Sequence, residues 1–105
     1  MKSVALSLSL ALLGLGVALP AHADPMALAK KYACLSCHAP DHKLVGPSWR
    51  EIAQRYRGQP DAEAKLVAKV RRGGAGAWGT IPMPPNPGPS DAELKELVHY
   101  ILSYK

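Results

Sequence analysis

The chain contains no phenylalanine and few aromatic residues of any kind, which limits the apolar core that it can build by itself. Its 105 residues include ten prolines and nine glycines, which interrupt regular structure and add little buried apolar surface. We find neither internal repeats nor a linker that would divide the chain, so we expect a single small domain. A domain of this size usually needs a staple, a metal or a cofactor for stability.

Cysteine is also scarce, since Cys34 and Cys37 are the two that the chain has. A disulfide between them would close a loop too short to stabilise much of a fold. A thioredoxin-like redox pair would need a βαβ setting, and we find no strand pattern around these residues. The residue that follows favours another interpretation: Cys34-Leu35-Ser36-Cys37-His38 is a C-x-x-C-H motif, the attachment signature of a c-type haem.

The C-x-x-C-H motif assigns a role to each of its three defining residues. The thiols of Cys34 and Cys37 would form thioethers with the vinyl groups of the porphyrin, and the imidazole of His38 would bind one face of the iron. A buried haem would also supply the apolar centre that the composition lacks. The sequence therefore predicts one covalently bound haem c.

The longest uncharged apolar segment, residues 4–19, is short for a membrane-spanning helix of about 20 apolar residues. Lys2 precedes it, and Ala21-His22-Ala23 follows it as an A-x-A-like cleavage site. We therefore predict a cleaved secretory signal peptide over residues 1–23, rather than a retained membrane anchor. The mature domain would span residues 24–105, with no stable membrane insertion after cleavage.

Four segments of the mature chain have helical patterns, separated by loops rich in proline and glycine. The first runs from about Pro25 to Ala33. The second follows Pro47 and stops at Gly58, the third runs from about Asp61 to Arg72 and is ended by Gly73-Gly74, and the last begins with a capping box at Ser90. We expect the last helix to pack across the first.

Residues 73–89 form a long loop dominated by glycine and proline, and such loops in compact domains are usually functional or disordered. Met83 lies in this loop between prolines that fix the backbone. A thioether is a recognised haem ligand that gives an electron-transfer haem of raised potential, so Met83 is the main candidate for the second axial position. The alternative for Met83 is a core-facing side chain.

Three other side chains compete with Met83 for that position. Met26 lies in the first helix, where its simplest role is to fill the core. His42 is too close in the chain to His38 to reach the opposite face of the haem easily. His99 lies beside the apolar stripe of the last helix, where a solvent-facing orientation is the simpler expectation.

The sequence resembles the small bacterial class I cytochromes c of the cytochrome c-551/c-552 group. Four segments carry the resemblance, in order and over essentially the whole mature chain: C-L-S-C-H at 34–38, L-V-G-P-S-W at 44–49, G-A-W-G at 76–79 and I-P-M-P-P-N at 81–86. The resemblance implies an all-α class I cytochrome c fold, with about four helices packed around one covalently bound haem c. It also implies a one-electron carrier rather than an enzyme.

The resemblance assigns the residues that hold the haem. Cys34 and Cys37 correspond to the thioether cysteines, His38 to the proximal ligand and Met83 to the distal ligand. The chain departs from the pattern at Ala33, where relatives often have glycine, and we expect this to alter helix packing rather than function.

Four further residues correspond to positions that support the haem in this family. Pro47 matches the proline whose carbonyl accepts a hydrogen bond from the proximal imidazole, and Asn86 matches the asparagine that donates to the methionine sulfur. Trp78 and Lys69 match partners of the haem propionates. Without the resemblance, Trp78 could be a core aromatic and Lys69 a solvated helix charge.

Residues 24–105 contain twelve basic and eight acidic residues, a formal excess of four positive charges before the haem is added. Some of the basic residues are expected near the haem edge, where they would steer docking onto an acidic redox partner. A scattered soluble surface is the alternative. Nucleic acid is not an expected partner, because no basic motif with interleaved aromatics is present.

The sequence and the resemblance together predict a monomeric periplasmic carrier of electrons. Its donor would be a quinol-oxidising cytochrome complex, and its acceptor a terminal reductase or oxidase. Two other classes stay open at this point. In a haem enzyme or gas sensor, the side chain of Met83 would be displaced from the iron. In a non-catalytic binding or assembly module, the haem would be structural.

Overall fold

The computed structural model describes residues 11, 13–17 and 23–105. It contains four α-helices, named here α1 (Pro25–Lys31), α2 (Trp49–Tyr56), α3 (Ala62–Arg72) and α4 (Asp91–Ser103). A short 3-10 helix, Cys34–Ser36, lies between α1 and α2. Isolated bridges are the β-structure found in the described residues, so the predicted all-α fold is confirmed.

The predicted signal peptide, residues 1–23, lies largely outside the described residues and stays a prediction, as does the domain boundary at residue 24. Within the described part of the chain, no helix is long and apolar enough to cross a membrane.

Helix α1 ends two residues earlier than the sequence predicted. Asp24 caps its first turn by accepting a hydrogen bond from the backbone N–H of Met26 at 3.1 Å. The helix then stops because Tyr32 leaves helical geometry and Ala33 takes a left-handed conformation with φ of 59°. A left-handed residue just past a helix reverses the chain, and here it leads directly into the C-x-x-C-H motif.

Helices α2 and α4 each begin with a complete capping box. At α2 the hydroxyl of Ser48 accepts from the N–H of Glu51, whose carboxylate accepts from the N–H of Ser48. Ser90 and Glu93 make the same reciprocal pair at α4. Each box satisfies two backbone donors that the helix leaves unpaired, so the local sequence fixes where both helices start.

Helix α4 packs against α1, α2 and α3, which confirms the predicted contact with the first helix. The buried cluster at its centre contains Ala29, Trp49, Ile52 and Leu97. The Trp49 ring meets the ring of Tyr100 edge-on, with centroids 5.8 Å apart. The same cluster borders a cavity, because Trp49, Ile52 and Leu97 also form part of its wall.

A carboxylate on α4 ties the end of α1 to this core. Glu93 accepts a hydrogen bond from the hydroxyl of Tyr32 at 2.8 Å and lies 3.6 Å from the ammonium of Lys31. The N–H of Ser90, the Tyr32 hydroxyl and the charge of Lys31 lower the pKa of Glu93 to about 2. Because Tyr32 immediately precedes the left-handed turn, this contact helps to place the motif that follows.

Candidate haem site

A cavity of about 380 Å³ lies between the C-x-x-C-H motif, α2, α3, α4 and the loop of residues 73–89. Its volume is within the range of small-molecule and cofactor sites. Every residue that the resemblance assigns to the haem lines it: Cys34, Cys37, His38, Pro47, Lys69, Trp78, Met83 and Asn86. Side chains of the core helices, including Ile52, Leu97 and Ile101, make much of the remaining wall apolar.

His38 is held through both its main chain and its ring. Its main-chain N–H donates to the carbonyl of Cys34 at 3.0 Å, which continues the turn of the 3-10 helix. Its Nδ1 lies 2.7 Å from the carbonyl oxygen of Pro47. A carbonyl can only accept, so Nδ1 carries the proton and Nε2 keeps its lone pair for a metal.

Gly46 supports the same ring, a role that the sequence analysis missed. A Cβ atom at this position would lie 2.7 Å from Cε1 of His38 and 3.1 Å from its Nδ1, so only glycine leaves room for the imidazole. The N–H of Gly46 also donates to the carbonyl of Cys37 at 2.8 Å. The signal was available as a Gly-Pro pair close behind the motif, but its contact with His38 depends on how the loop folds back.

Met83 is held by its backbone at the end of α3. Its N–H donates to the carbonyl of Gly74, and its carbonyl accepts from the N–H of Gly74, both at 2.9 Å. Gly73, which the sequence marked only as a helix stop, has φ of 66° and lies so close that a Cβ would be 2.2 Å from the Met83 carbonyl oxygen. These contacts fix where the methionine enters the cavity.

Asn86 joins three parts of the structure beside Met83. Its N–H donates to the carbonyl of Val70 in α3 at 2.8 Å, and its Nδ2 donates to the carbonyl of Tyr32 at 3.0 Å. Its Oδ1 accepts from the N–H of Gly88 at 3.3 Å. A primary amide has two N–H donors, so a donor remains for the sulfur contact that the resemblance implies, and that contact stays a prediction.

Trp78 and Lys69 lie at the rim of the cavity. The Trp78 side chain lines the cavity and is not among the residues of the buried core cluster or those packed against it. The guanidinium of Arg55 lies over its ring, 4.1 Å from the centroid. Lys69 is half-buried on α3 and lines the cavity. Both residues are thus positioned where acidic groups of a bound cofactor could reach them.

The donor set of this cavity fits a covalent haem. Cys34 and Cys37 are half-buried at its wall beside His38, and burial raises the pKa of the Cys34 thiol. Two thiols, an imidazole and a thioether on an apolar cavity are the groups that a c-type haem uses. The competing His42 and His99 side chains are exposed and do not line the cavity.

Met26 is packed against the core cluster, as the sequence analysis expected.

Comparison with known proteins identifies the family. Residues 26–105 match the cytochrome c family model. The chain is 45% identical over 82 residues to cytochrome c-551 of Pseudomonas aeruginosa, covering 78% of this chain and 78% of that protein. It is 50% identical over 78 residues to cytochrome c-551 of Azotobacter vinelandii, covering 74% of this chain and 94% of that protein.

The fold agrees with the sequence matches. The crystal structure of wild-type Nitrosomonas europaea cytochrome c552 superimposes with a TM-score of 0.73 at 45% identity, covering 76% of this chain and 99% of that one. The class 1 cytochrome MtoD of Sideroxydans lithotrophicus superimposes with a TM-score of 0.68 at 36% identity, over 76% of this chain and 91% of that one. The resemblance to the c-551/c-552 group is confirmed, and with it the class I fold and a single covalent haem c. The chain belongs to the cytochrome c family, whose members are electron carriers.

Proposed function

We propose that this protein is a periplasmic one-electron carrier whose haem iron is bound by His38 and Met83. One observation supports this most strongly: the two side chains line one cavity but come from separate segments, and each is fixed by its own backbone contacts. Nδ1 of His38 is hydrogen-bonded to the Pro47 carbonyl, and the backbone of Met83 forms two hydrogen bonds with that of Gly74. A histidine and a methionine on opposite faces give an electron-transfer haem of raised potential.

The bound haem supplies the exchange of one electron between Fe(II) and Fe(III), and the protein residues anchor and orient it. Cys34 and Cys37 hold the macrocycle through thioether bonds. The carbonyl of Pro47 accepts a hydrogen bond from Nδ1–H, which fixes the ring of His38 and makes it a more basic ligand. Because backbone hydrogen bonds hold both axial residues, little of the protein needs to move when the charge on the iron changes.

The supporting residues act around the edge of the site. In this proposal Trp78 and Lys69 contact the propionates, and Asn86 donates to the sulfur of Met83. The apolar side chains of Val45 and Ile81 also line this cavity. Contact with another redox protein at this rim would bring the two cofactors close without opening the site.

Cytochromes c act with redox partner proteins, and we propose how this one meets them. The monomer, exported through the signal peptide of residues 1–23, would accept electrons from a quinol-oxidising cytochrome complex and deliver them to a terminal reductase or oxidase. Its excess of basic residues supports docking onto an acidic surface, an effect that salt weakens.

Stopped-flow electron exchange with a soluble copper protein tests the carrier proposal. The reduced protein should be oxidised in a second-order reaction, and the rate with an acidic partner should fall as salt is added. Absence of electron exchange with any soluble redox protein would instead favour a structural haem in an assembly module.

A further inference from the structure

Arg55 makes two contacts with the loop that carries Trp78. Its guanidinium carbon lies 4.1 Å from the centroid of the Trp78 ring. Its Nη1 donates to the carbonyl of Ala77, the preceding residue, at 2.5 Å. A planar guanidinium can lie on an indole and bond to a neighbouring carbonyl at the same time, which an ammonium group does not reproduce. Arg55 therefore contacts both the ring and the backbone that places it.

Backbone hydrogen bonds hold this loop at two points. At its base Gly74 and Met83 are paired, and at its tip the N–H of Gly76 donates to the carbonyl of Gly79 at 2.8 Å. Neither of these contacts involves the side chain of Trp78. Arg55 extends from α2 to the tip of the loop and contacts the Trp78 ring itself.

We propose that Arg55 is a positioning residue that holds Trp78 at the haem propionates and thereby keeps the reduction potential high. This inference rests on the proposed function, because it uses the propionate contact assigned there to Trp78. A donor at a propionate offsets its negative charge. An uncompensated negative charge near the iron favours Fe(III), so loss of the contact lowers the potential.

Two substitutions separate positioning from a direct effect of the charge. Arg55→Gln removes the charge together with the stack and the bond to Ala77, whereas Arg55→Lys keeps the charge and removes the two contacts. If Arg55 acts by positioning Trp78, both variants lower the reduction potential by similar amounts. A lowered potential in the glutamine variant alone would overturn positioning in favour of a direct charge effect, and an unchanged potential in both would overturn any role in tuning the haem.

Hydrogen exchange supplies a readout that does not depend on electron transfer. In Arg55→Lys, exchange of the Gly76 amide should become about tenfold faster, because a charge-assisted hydrogen bond no longer tethers the turn. Exchange of the Gly74 amide, which is bonded to Met83 at the base of the loop, should stay unchanged. Unchanged exchange at Gly76 would overturn the proposal.

A second background tests whether the effect passes through Trp78. The double variant Trp78→Phe/Arg55→Lys should have the same reduction potential as Trp78→Phe alone, because substitutions of two contacting residues have non-additive effects. Additive shifts would mean that Arg55 acts independently of the indole.

Arg57→Lys is the matched control for Arg55→Lys. Arg57 follows α2 and donates to the carbonyls of Leu102 and Tyr104, away from the loop. Arg57→Lys should leave both the reduction potential and the exchange rate of the Gly76 amide unchanged. Changes as large as those in Arg55→Lys would overturn the assignment to Arg55. Failure of the proposed function is detected separately, because the parent protein would bind carbon monoxide if Met83 does not bind the iron. Hydrogen exchange of the Gly76 amide would still test whether Arg55 holds the loop.

Discussion

Gly46 lies against the imidazole of His38 so closely that a Cβ atom would be 2.7 Å from Cε1. The next residue, Pro47, accepts the hydrogen bond of Nδ1 at 2.7 Å. One dipeptide therefore sets both the position and the orientation of the ring. The role of Pro47 follows from the family resemblance, whereas that of Gly46 depends on how the loop folds back onto His38.

Gly46→Ala should therefore disturb the candidate proximal ligand. We expect a loss of about 1–3 kcal/mol in stability from overpacking, together with a changed haem absorption spectrum because the ring must shift. Chemical denaturation and spectra of the purified holoprotein measure both effects. Gly58→Ala is the control: its φ of 85° strains alanine, but its Cβ would meet no atom within 4 Å and Gly58 does not line the cavity, so the spectrum should stay parental. An unaltered spectrum in Gly46→Ala would contradict the role given to Gly46.

Gly73→Ala should displace the methionine loop. The new Cβ would lie 2.2 Å from the carbonyl oxygen of Met83, which forces the backbone apart, and carbon monoxide should then bind to the reduced protein. Gly76→Ala is the matched control, because Gly76 also has a positive φ but has no atom within 4 Å of its ideal Cβ. Both variants should lose stability, whereas only Gly73→Ala should displace Met83 and leave an axial position of the iron free to bind carbon monoxide. Equal carbon monoxide binding by the two would show that Gly73 has no special link to Met83.

Ala33→Gly should stabilise the protein. Ala33 has φ of 59°, a left-handed conformation that is strained for alanine and free for glycine. We expect a net gain of up to about 1 kcal/mol, because the flexibility of glycine in the unfolded chain offsets part of the relief. Denaturant unfolding of the holoprotein measures it. Ala29→Gly, in the buried part of α1, is the control and should be destabilising. A loss of stability in Ala33→Gly would show that Ala33 is not strained.

Glu93 should make the fold sensitive to acid. Its pKa is lowered to about 2 in the folded protein, against 4.5 for an ordinary glutamate. A lowered folded-state pKa adds stability that is present above pH 4.5 and is lost as the pH falls towards 2. Glu93→Gln should flatten this loss when urea midpoints are compared at pH 7 and pH 3. Glu63→Gln, an exposed residue of α3 with the same charge change, should keep the parental dependence on pH; an unchanged dependence in Glu93→Gln would refute the assignment.

Local signals in the sequence predicted much of the architecture. The capping box at Ser90 and the stop at Gly73 predicted the start of α4 and the end of α3. The capping box at Ser48 has the same pattern in the sequence but was recognised only in the structure. The end of α1 could not be predicted, because Tyr32 and Ala33 carry no stop signal and alanine is the best helix former. The reversal there depends on the left-handed turn and on the bond from Tyr32 to Glu93.

The site residues that belong to a recognisable motif, such as C-x-x-C-H, could be predicted from the sequence. These residues do line one cavity. The roles of Gly46, Gly73 and Arg55 could not be predicted, because each depends on a contact between segments distant in the chain or on a loop that folds back. Arg55 is 22 residues from the carbonyl that it binds, and no spacing rule connects the two.

Met83 should occupy the second axial position of the haem iron, and carbon monoxide binding tests this most directly. The absorption spectrum of the periplasmically matured, reduced protein should be the same with and without the gas. Met83→Ala should bind the gas rapidly and shift the spectrum, while Met26→Leu, which alters the other methionine of the domain, should behave as the parent. A rapid spectral shift in the parent protein would contradict the account and would favour a haem enzyme or gas sensor instead.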